Sequence, residues 1–232
     1  MCIRDRAYTG LTTFPQIDTG NGLTFDGAWA GCYYMTEFPQ LDLSNGKTFM
    51  TTWYDNDFTS FPTLDLSSGE VFRSAWEGCS SLTSFPPLKV SSGVDFRGAW
   101  FDCSSLTSFP TLDFSSGEDY VNAWCLCSSL TSFPPLNFSS GLNFERSWRD
   151  CSSLVSFPSS MFNSCLATNF QYAWQGCALS EESVDNILTS LDTAGQSNGT
   201  VNLDGGTSAA PSATGLAAKA SLEGKGWTVI TN

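Results

Sequence analysis

Apolar and polar positions alternate along the chain in a unit of about 24 residues. The clearest copy spans residues 85–108 and reads FPPLKVSSGVDFRGAWFDCSSLTS. A fixed period in this range is typical of stacked supersecondary units, because each unit buries its apolar side against its neighbours. Phe-Pro pairs begin at Phe14, Phe38, Phe61, Phe85, Phe109, Phe133 and Phe157, and the matching tryptophans are Trp29, Trp53, Trp76, Trp100, Trp124, Trp148 and Trp174.

Within each unit the spacing of the apolar positions changes. Around the tryptophan they lie at i, i+3, i+4 and i+7, which is one face of a helix about two turns long: Phe96, Ala99, Trp100 and Cys103. Residues 104–117 lose this spacing, and their short apolar runs predict brief strands. Pro110 limits the strand length because it has no N–H to donate. Each unit is therefore predicted to consist of a strand, a turn, a short helix and a turn.

The repeated pattern CSSLTSFPxLDxSSGxxFxxAWxxC resembles the bacterial leucine-rich repeats of the BspA-like surface-antigen type over residues 9–179. In those repeats a Cys or Asn precedes Leu-x-x-Ile/Leu, and an Ala-Phe or Met-Phe pair precedes the next Cys; here Trp replaces that Phe. The resemblance implies an α/β fold, namely a right-handed leucine-rich-repeat solenoid of about seven 24-residue coils. Short parallel strands would form one face and short helices the other.

Proteins of this type are surface or virion proteins that make contacts, and phage tail and adhesin proteins carry similar Ser-rich repeats. The resemblance therefore implies a non-catalytic protein-interaction or adhesion segment. It also implies an extracellular location, on a cell surface or on a virion.

Residues 180–232 depart from the repeat and are predicted to form a C-terminal capping region after the solenoid at residues 7–179. Ser180 is a suitable N-cap for a helix, and an apolar stripe follows it: Val184, Ile187, Leu188 and Leu191. Residues 200–203 and 227–230 are predicted strands. Because a repeat array needs a cover over the open end of its core, we expect the helix to lie across the last unit with the two strands paired beside it.

Residues 1–6, MCIRDR, break the register of the repeat, because Arg4 and Asp5 stand where Ala and Trp are expected. The segment resembles a translated sequencing adapter of the kind found on metagenomic fragments. We therefore expect it to be artefactual and the protein to extend upstream of Ala7, so that the missing signal peptide is uninformative. The alternative is a short polar tail on a complete protein.

The net charge is −13 at pH 7, from 23 acidic and 10 basic residues. Binding to a phosphate backbone needs basic patches, so we expect no nucleic-acid partner. No stretch approaches ~18 consecutive apolar residues, so we expect no membrane insertion. The remaining partner classes are a protein or a cell-surface glycan.

The chain has no histidine, which removes Ser-His-Asp and Cys-His nucleophile pairs and the commonest zinc ligand. A column of aspartates is interrupted in two units, whereas a calcium ladder needs several oxygen ligands at each site. The column reads Asp18, Asp42, Asp65, Lys89, Asp113 and Asn137. We therefore expect no enzyme activity, no metal site and no cofactor.

Six of the nine cysteines form a column three residues after the tryptophans, and Asn56 takes this position in one unit. Stacked coils lie ~4.8 Å apart, within the Cα separation that a disulfide allows. Distance alone therefore does not forbid a bridge such as Cys79–Cys103 or Cys127–Cys151. Because column side chains point in parallel, we expect reduced thiols that fill space as small apolar groups.

Positions that vary between the units cluster around each Trp, and they are the candidate partner-facing residues: Arg73, Glu77, Arg97, Phe101, Asp102, Asn122, Glu145 and Arg149. Two alternatives stay open. The array is a structural spacer without its own ligand, or the constant Ser and Thr positions form a hydroxyl face that binds glycan or ice. Ser81, Thr83 and Ser84 belong to that set.

Overall fold

The computed structural model describes Thr12 and residues 17–232. The predictions for residues 1–6 and for Phe14 fall outside the described residues. Between residues 17 and 168 the described chain consists of turns, extended segments and single bridges.

Consecutive units lie side by side in the same direction, joined by parallel bridges between equivalent residues. One column of bridges follows Thr24, Thr48, Val71, Asp95, Asp119, Asn143 and Asn169, and a second follows Ser84, Ser108, Ser132 and Ser156. A proline, which has no N–H to donate, stands two residues after each serine of the second column. The period of the sequence is therefore the repeat of this ladder.

The segment before each thiol is a run of turns, so the predicted short helix in each unit is wrong. Alternate N–H groups donate to the next unit, as Ser74 does to the carbonyl of Arg97 at 2.8 Å. The N–H groups between them close turns, as Ala75 does to the carbonyl of Phe72 at 3.1 Å. A helix bonds each N–H to the carbonyl four residues earlier, which leaves none for the neighbouring unit. Hydrogen bonding between units therefore replaces the helix.

The interior is a set of stacked aromatic columns. The indole rings of consecutive units are nearly parallel, with centroids 5.0 Å apart for Trp53 and Trp76 and 5.4 Å apart for Trp100 and Trp124. Each indole also meets Phe-Pro phenylalanines edge-on, as Trp100 does with Phe109 at 5.0 Å. These rings are almost completely removed from solvent. The predicted burial of the Trp and Phe columns is confirmed for the described residues.

The regular secondary structure lies near the C-terminus. Its elements in chain order are β1 (Asn169–Phe170), α1 (Glu181–Ala194), β2 (Thr200–Asn202), α2 (Ala213–Gly224) and β3 (Thr228–Ile230). The strands form one parallel sheet in the order β1-β2-β3. The predicted pairing of the two C-terminal strands is confirmed, with Thr200 opposite Thr228.

The sheet continues the ladder of the repeats. Asn143 pairs with Asn169, Asn169 with Thr200, and Thr200 with Thr228, all in parallel. The tail therefore adds two strands to the stack at the same column, with α1 and α2 as the connections between them.

Helix α1 packs directly on the last unit of the repeat. The Ser183 and Ser190 hydroxyls accept hydrogen bonds from the N–H groups of Phe157 and Phe162 at 2.9 and 2.7 Å. In an inner unit the N–H of Phe133 donates instead to the carbonyl of Ser156. Serine hydroxyls thus accept the hydrogen bonds that a further unit's backbone carbonyls would accept. The predicted apolar stripe of α1 is buried. Neither helix of the described chain has the length and apolar character to cross a membrane.

Candidate functional site

The candidate partner-facing residues all lie on the surface formed by the runs of turns, which we call the turn face. It consists of residues 26–31, 50–55, 73–78, 97–102, 121–126, 145–150 and 171–176. The ladder brings equivalent residues of neighbouring units together. The eight candidates are half-buried on this face, because neighbouring side chains cover one another.

Two positions of the turn face in each unit have a left-handed backbone. Glycine occupies five of them: Gly27, Gly31, Gly78, Gly98 and Gly176. Other residues occupy the remaining nine: Thr51, Asp55, Ser74, Asp102, Asn122, Leu126, Arg146, Asp150 and Tyr172. This conformation costs an L-residue roughly 1–2 kcal/mol, and less for Asn and Asp. The chain therefore carries side chains at positions where glycine is the least costly residue.

At two places a side chain at the second left-handed position packs closely on the same position in the next unit. A Cβ added to Gly78 would lie 3.3 Å from both Cα and Oδ1 of Asp55. Gly176 is covered in the same way by Asp150. At these two places an aspartate packs closely on the glycine of the following unit, whereas Leu126 follows Asp102 in the same column. The surface is therefore packed from unit to unit.

Charged residues of the turn face form ion pairs within the chain. The guanidinium groups of Arg73 and Arg97 both contact Asp95, at 2.8 and 2.7 Å, and Arg97 lies 3.4 Å from Asp119. Burial raises the pKa of Asp95, and the positive charge of Arg73 opposes that rise. Each of these two candidate residues thus pairs with a carboxylate of the following unit as well as facing solvent.

Two further charged candidates also lie in ion pairs. Glu145 lies 2.8 Å from Arg146, and Arg149 lies 3.3 Å from Asp150. The guanidinium of Arg146 also stands over the Tyr172 ring at 5.6 Å. The predicted candidates are therefore brought together on one face, and several of their charges are balanced within it.

A second feature of this region is a group of exposed tyrosines that the sequence argument did not select. Tyr33 and Tyr34 are 42% and 62% exposed, and Tyr54 in the next unit is 38% exposed. The Tyr33 hydroxyl donates a hydrogen bond to Asp55 at 2.9 Å, and Asp57 is exposed nearby in sequence. We call Tyr33, Tyr34, Tyr54, Asp55 and Asp57 the tyrosine patch. The signal for it was present, since the regular units carry Ser-Ser where Tyr33 and Tyr34 stand.

The hydroxyl face has no charged residue over residues 79–88, 103–112 and 127–136. Its threonine hydroxyls donate along the ladder, as from Thr107 to the carbonyl of Thr83 at 3.2 Å. These groups therefore serve the stacking of the units.

The thiol column also has a hydrogen-bonding role. Each column thiol from Cys79 onwards donates to the Trp carbonyl of the preceding unit, as Cys103 does to Trp76 at 3.2 Å. Asn56 provides the same contact, because its amide donates to the Trp29 carbonyl at 2.9 Å. The sequence predicted thiols that only fill space, and it did not predict this hydrogen bond.

All the cysteines of the described residues are free thiols, and Cys2 lies outside that part of the chain. Burial raises the pKa of Cys79 to about 12 and raises the pKa of Cys103 as well. Across the described residues no group of three His, Cys, Asp or Glu side chains is placed to hold a metal ion.

Comparison of the chain with protein-family models, with curated proteins and with solved structures finds no match in any of the three.

Proposed function

We propose that the chain is a non-catalytic protein-interaction or adhesion segment of a surface or virion protein. We also propose that its units form a right-handed leucine-rich-repeat solenoid. The observation that carries the functional proposal is the turn face, where variable side chains occupy strained backbone positions on a constant scaffold. Strained residues of this kind persist where the surrounding structure holds them, and they cluster at functional surfaces.

A rigid scaffold supports recognition on such a face. The aromatic columns and the hydrogen bonds between units hold the backbone of the turn face in place. A preordered surface loses little conformational entropy on binding, so more of the contact energy contributes to affinity. Variation restricted to the turn face then changes the partner without changing the fold, as in other repeat proteins.

A second candidate function is a glycan- or ice-binding hydroxyl face, favoured by the uncharged Ser and Thr columns in a chain of net charge −13. The spacer hypothesis differs from both, because it needs no surface that binds a partner. Variants that alter the turn face and the hydroxyl face separately distinguish the three hypotheses.

The test uses beads coated with the full chain and exposed to a panel of cells, immobilised extracellular proteins and glycans. The turn-face variant combines Asp102→Gly, Asn122→Gly and Arg146→Gly, because glycine occupies these columns in other units. The hydroxyl-face variant is Thr107→Val combined with Thr131→Val, since Val155 stands in that column. Both variants should keep the parent's circular dichroism.

We expect the parent and the hydroxyl-face variant to be retained on a protein surface and the turn-face variant to be lost from it. If the parent and the turn-face variant are retained on glycan or ice and the hydroxyl-face variant is not, the second function is favoured. No retention of the parent on any surface would leave the spacer hypothesis and overturn the proposal.

A further inference from the structure

Tyr33 and Tyr34 of the tyrosine patch stand where the regular units stack without aromatic side chains. Four other units carry Ser-Ser at the positions of Tyr33 and Tyr34 and stack in the same ladder. Both rings are exposed rather than packed in the core. Clustered exposed aromatic side chains mark contact surfaces. Tyrosine is enriched in such surfaces because it offers a large contact area at a low entropy cost.

The patch spans two adjacent units and holds a carboxylate beside its rings. The backbone N–H of Gly31 donates to the carbonyl of Tyr54 at 2.8 Å, which fixes the two units side by side. The Tyr33 hydroxyl then reaches across to Asp55. Asp55 has a left-handed backbone with φ of 55°, in a column where Gly31 and Gly78 occupy the neighbouring units. The position of the Asp55 carboxylate is therefore fixed by its own backbone conformation and by the hydrogen bond from Tyr33 in the neighbouring unit.

The charge around the patch selects the kind of partner. Residues 17–60 contain six carboxylates and one basic side chain, Lys47. That lysine lies 3.2 Å from Glu70 in the following unit. Asp26, Glu37 and Asp57 are exposed. This surface repels anionic ligands and attracts cationic ones.

We propose that the tyrosine patch binds a basic peptide segment of a partner protein through its arginine or lysine side chains. The cationic group stacks on the exposed tyrosine rings and forms charge-assisted hydrogen bonds with Asp55 and Asp57. This inference rests on the proposed interaction function and narrows it to a cationic protein partner at the first two described units.

The experiment measures fluorescence anisotropy of a labelled peptide of alternating arginine and glycine, added to the full chain. A peptide with glutamine in place of arginine is the neutral control. The patch variant is Tyr33→Ser combined with Tyr34→Ser, which restores the residues of the regular units without changing the net charge. Control variants are Ser80→Ala with Ser81→Ala, at the same positions of a later unit, and Glu118→Gln, which removes one exposed carboxylate elsewhere.

We expect the patch variant to bind the arginine peptide roughly tenfold more weakly than the parent, because two exposed cation–π contacts are lost. The two control variants should bind like the parent, the glutamine peptide should bind far more weakly, and affinity should fall with added salt. Circular dichroism and thermal melting should show that the patch variant is folded.

Equal binding by the patch variant and the parent would overturn the inference, as would equal binding of the glutamine peptide. Binding of a neutral glycan that depends on Tyr33 and Tyr34, without binding of the arginine peptide, would also overturn it. Failure here leaves the retention of the parent on protein surfaces unaffected, so the inference and the proposed function fail separately.

Discussion

Replacing Trp100 with alanine removes one ring from the middle of the stacked tryptophan column. The Trp100 indole is fully buried and stacks on Trp76 at 5.5 Å and on Trp124 at 5.4 Å. It also meets Phe85 at 5.4 Å and Phe109 at 5.0 Å edge-on. The substitution therefore breaks ring contacts to both neighbouring units at once.

The size of the loss follows from these contacts. Truncating a buried Phe or Trp to Ala costs about 3–5 kcal/mol, and each aromatic pair contributes about 0.5–1.5 kcal/mol beyond its buried area. With stacked partners on both sides, we expect Trp100→Ala to lie at the top of that range, at about 5 kcal/mol. Trp174 has a stacked indole on one side, Trp148 at 5.1 Å, so Trp174→Ala should cost about 1 kcal/mol less.

Urea denaturation of the parent and the variants, followed by circular dichroism, measures these differences in the free energy of unfolding. Arg97→Ala is the surface control, and its partly exposed ion pairs limit the expected loss to about 1 kcal/mol. A loss below about 2 kcal/mol for Trp100→Ala, or a loss equal to that of Arg97→Ala, would refute the claim that ring stacking holds the units together.

Four further predictions address other parts of the molecule. Cys103→Ser should keep a donor to the Trp76 carbonyl and cost less than Cys103→Ala, for which we expect a loss of about 1 kcal/mol because that carbonyl then accepts from the Cys79 N–H alone; equal losses in denaturation would contradict the thiol hydrogen bond. Thr51→Gly should raise stability by about 0.5–1 kcal/mol by relieving its left-handed backbone, whereas Thr63→Gly at an ordinary position should lower it; melting temperatures that move in the same direction would argue against the strain. Deleting residues 180–232 should expose the aromatic end of the stack and cause aggregation in light scattering; a monomeric truncation that melts like the parent would show that the tail is an independent module. The seven buried thiols should resist alkylation at pH 8 in the folded chain and react after unfolding, because burial removes them from reagent and raises the pKa of each; rapid labelling of folded protein, followed by mass spectrometry, would contradict that burial.

The sequence alone determined the period, the columns and the inside and outside of the stack. A large aromatic residue recurs every 24 residues, as Trp76 and Trp100 do. It must be buried in every unit, and the equivalent aromatic residues of the neighbouring units are the apolar surface that buries it. The candidate positions around each Trp followed from the same comparison, since the scaffold columns are constant and these are not. The apolar stripe of α1 was readable for the same reason, because burial leaves a pattern in a single chain.

The tertiary structure alone decided where the backbone hydrogen bonds go. The spacing of Phe96, Ala99 and Trp100 fits both a short helix and a run of turns, and the choice depends on acceptors in the next unit. The bond from Cys103 to Trp76 and the ion pair between Arg73 and Asp95 likewise join residues of adjacent units, 27 and 22 positions apart. A local pattern records which side chains are buried, but it does not record which neighbour satisfies a donor or a charge. That information exists only once the units are stacked.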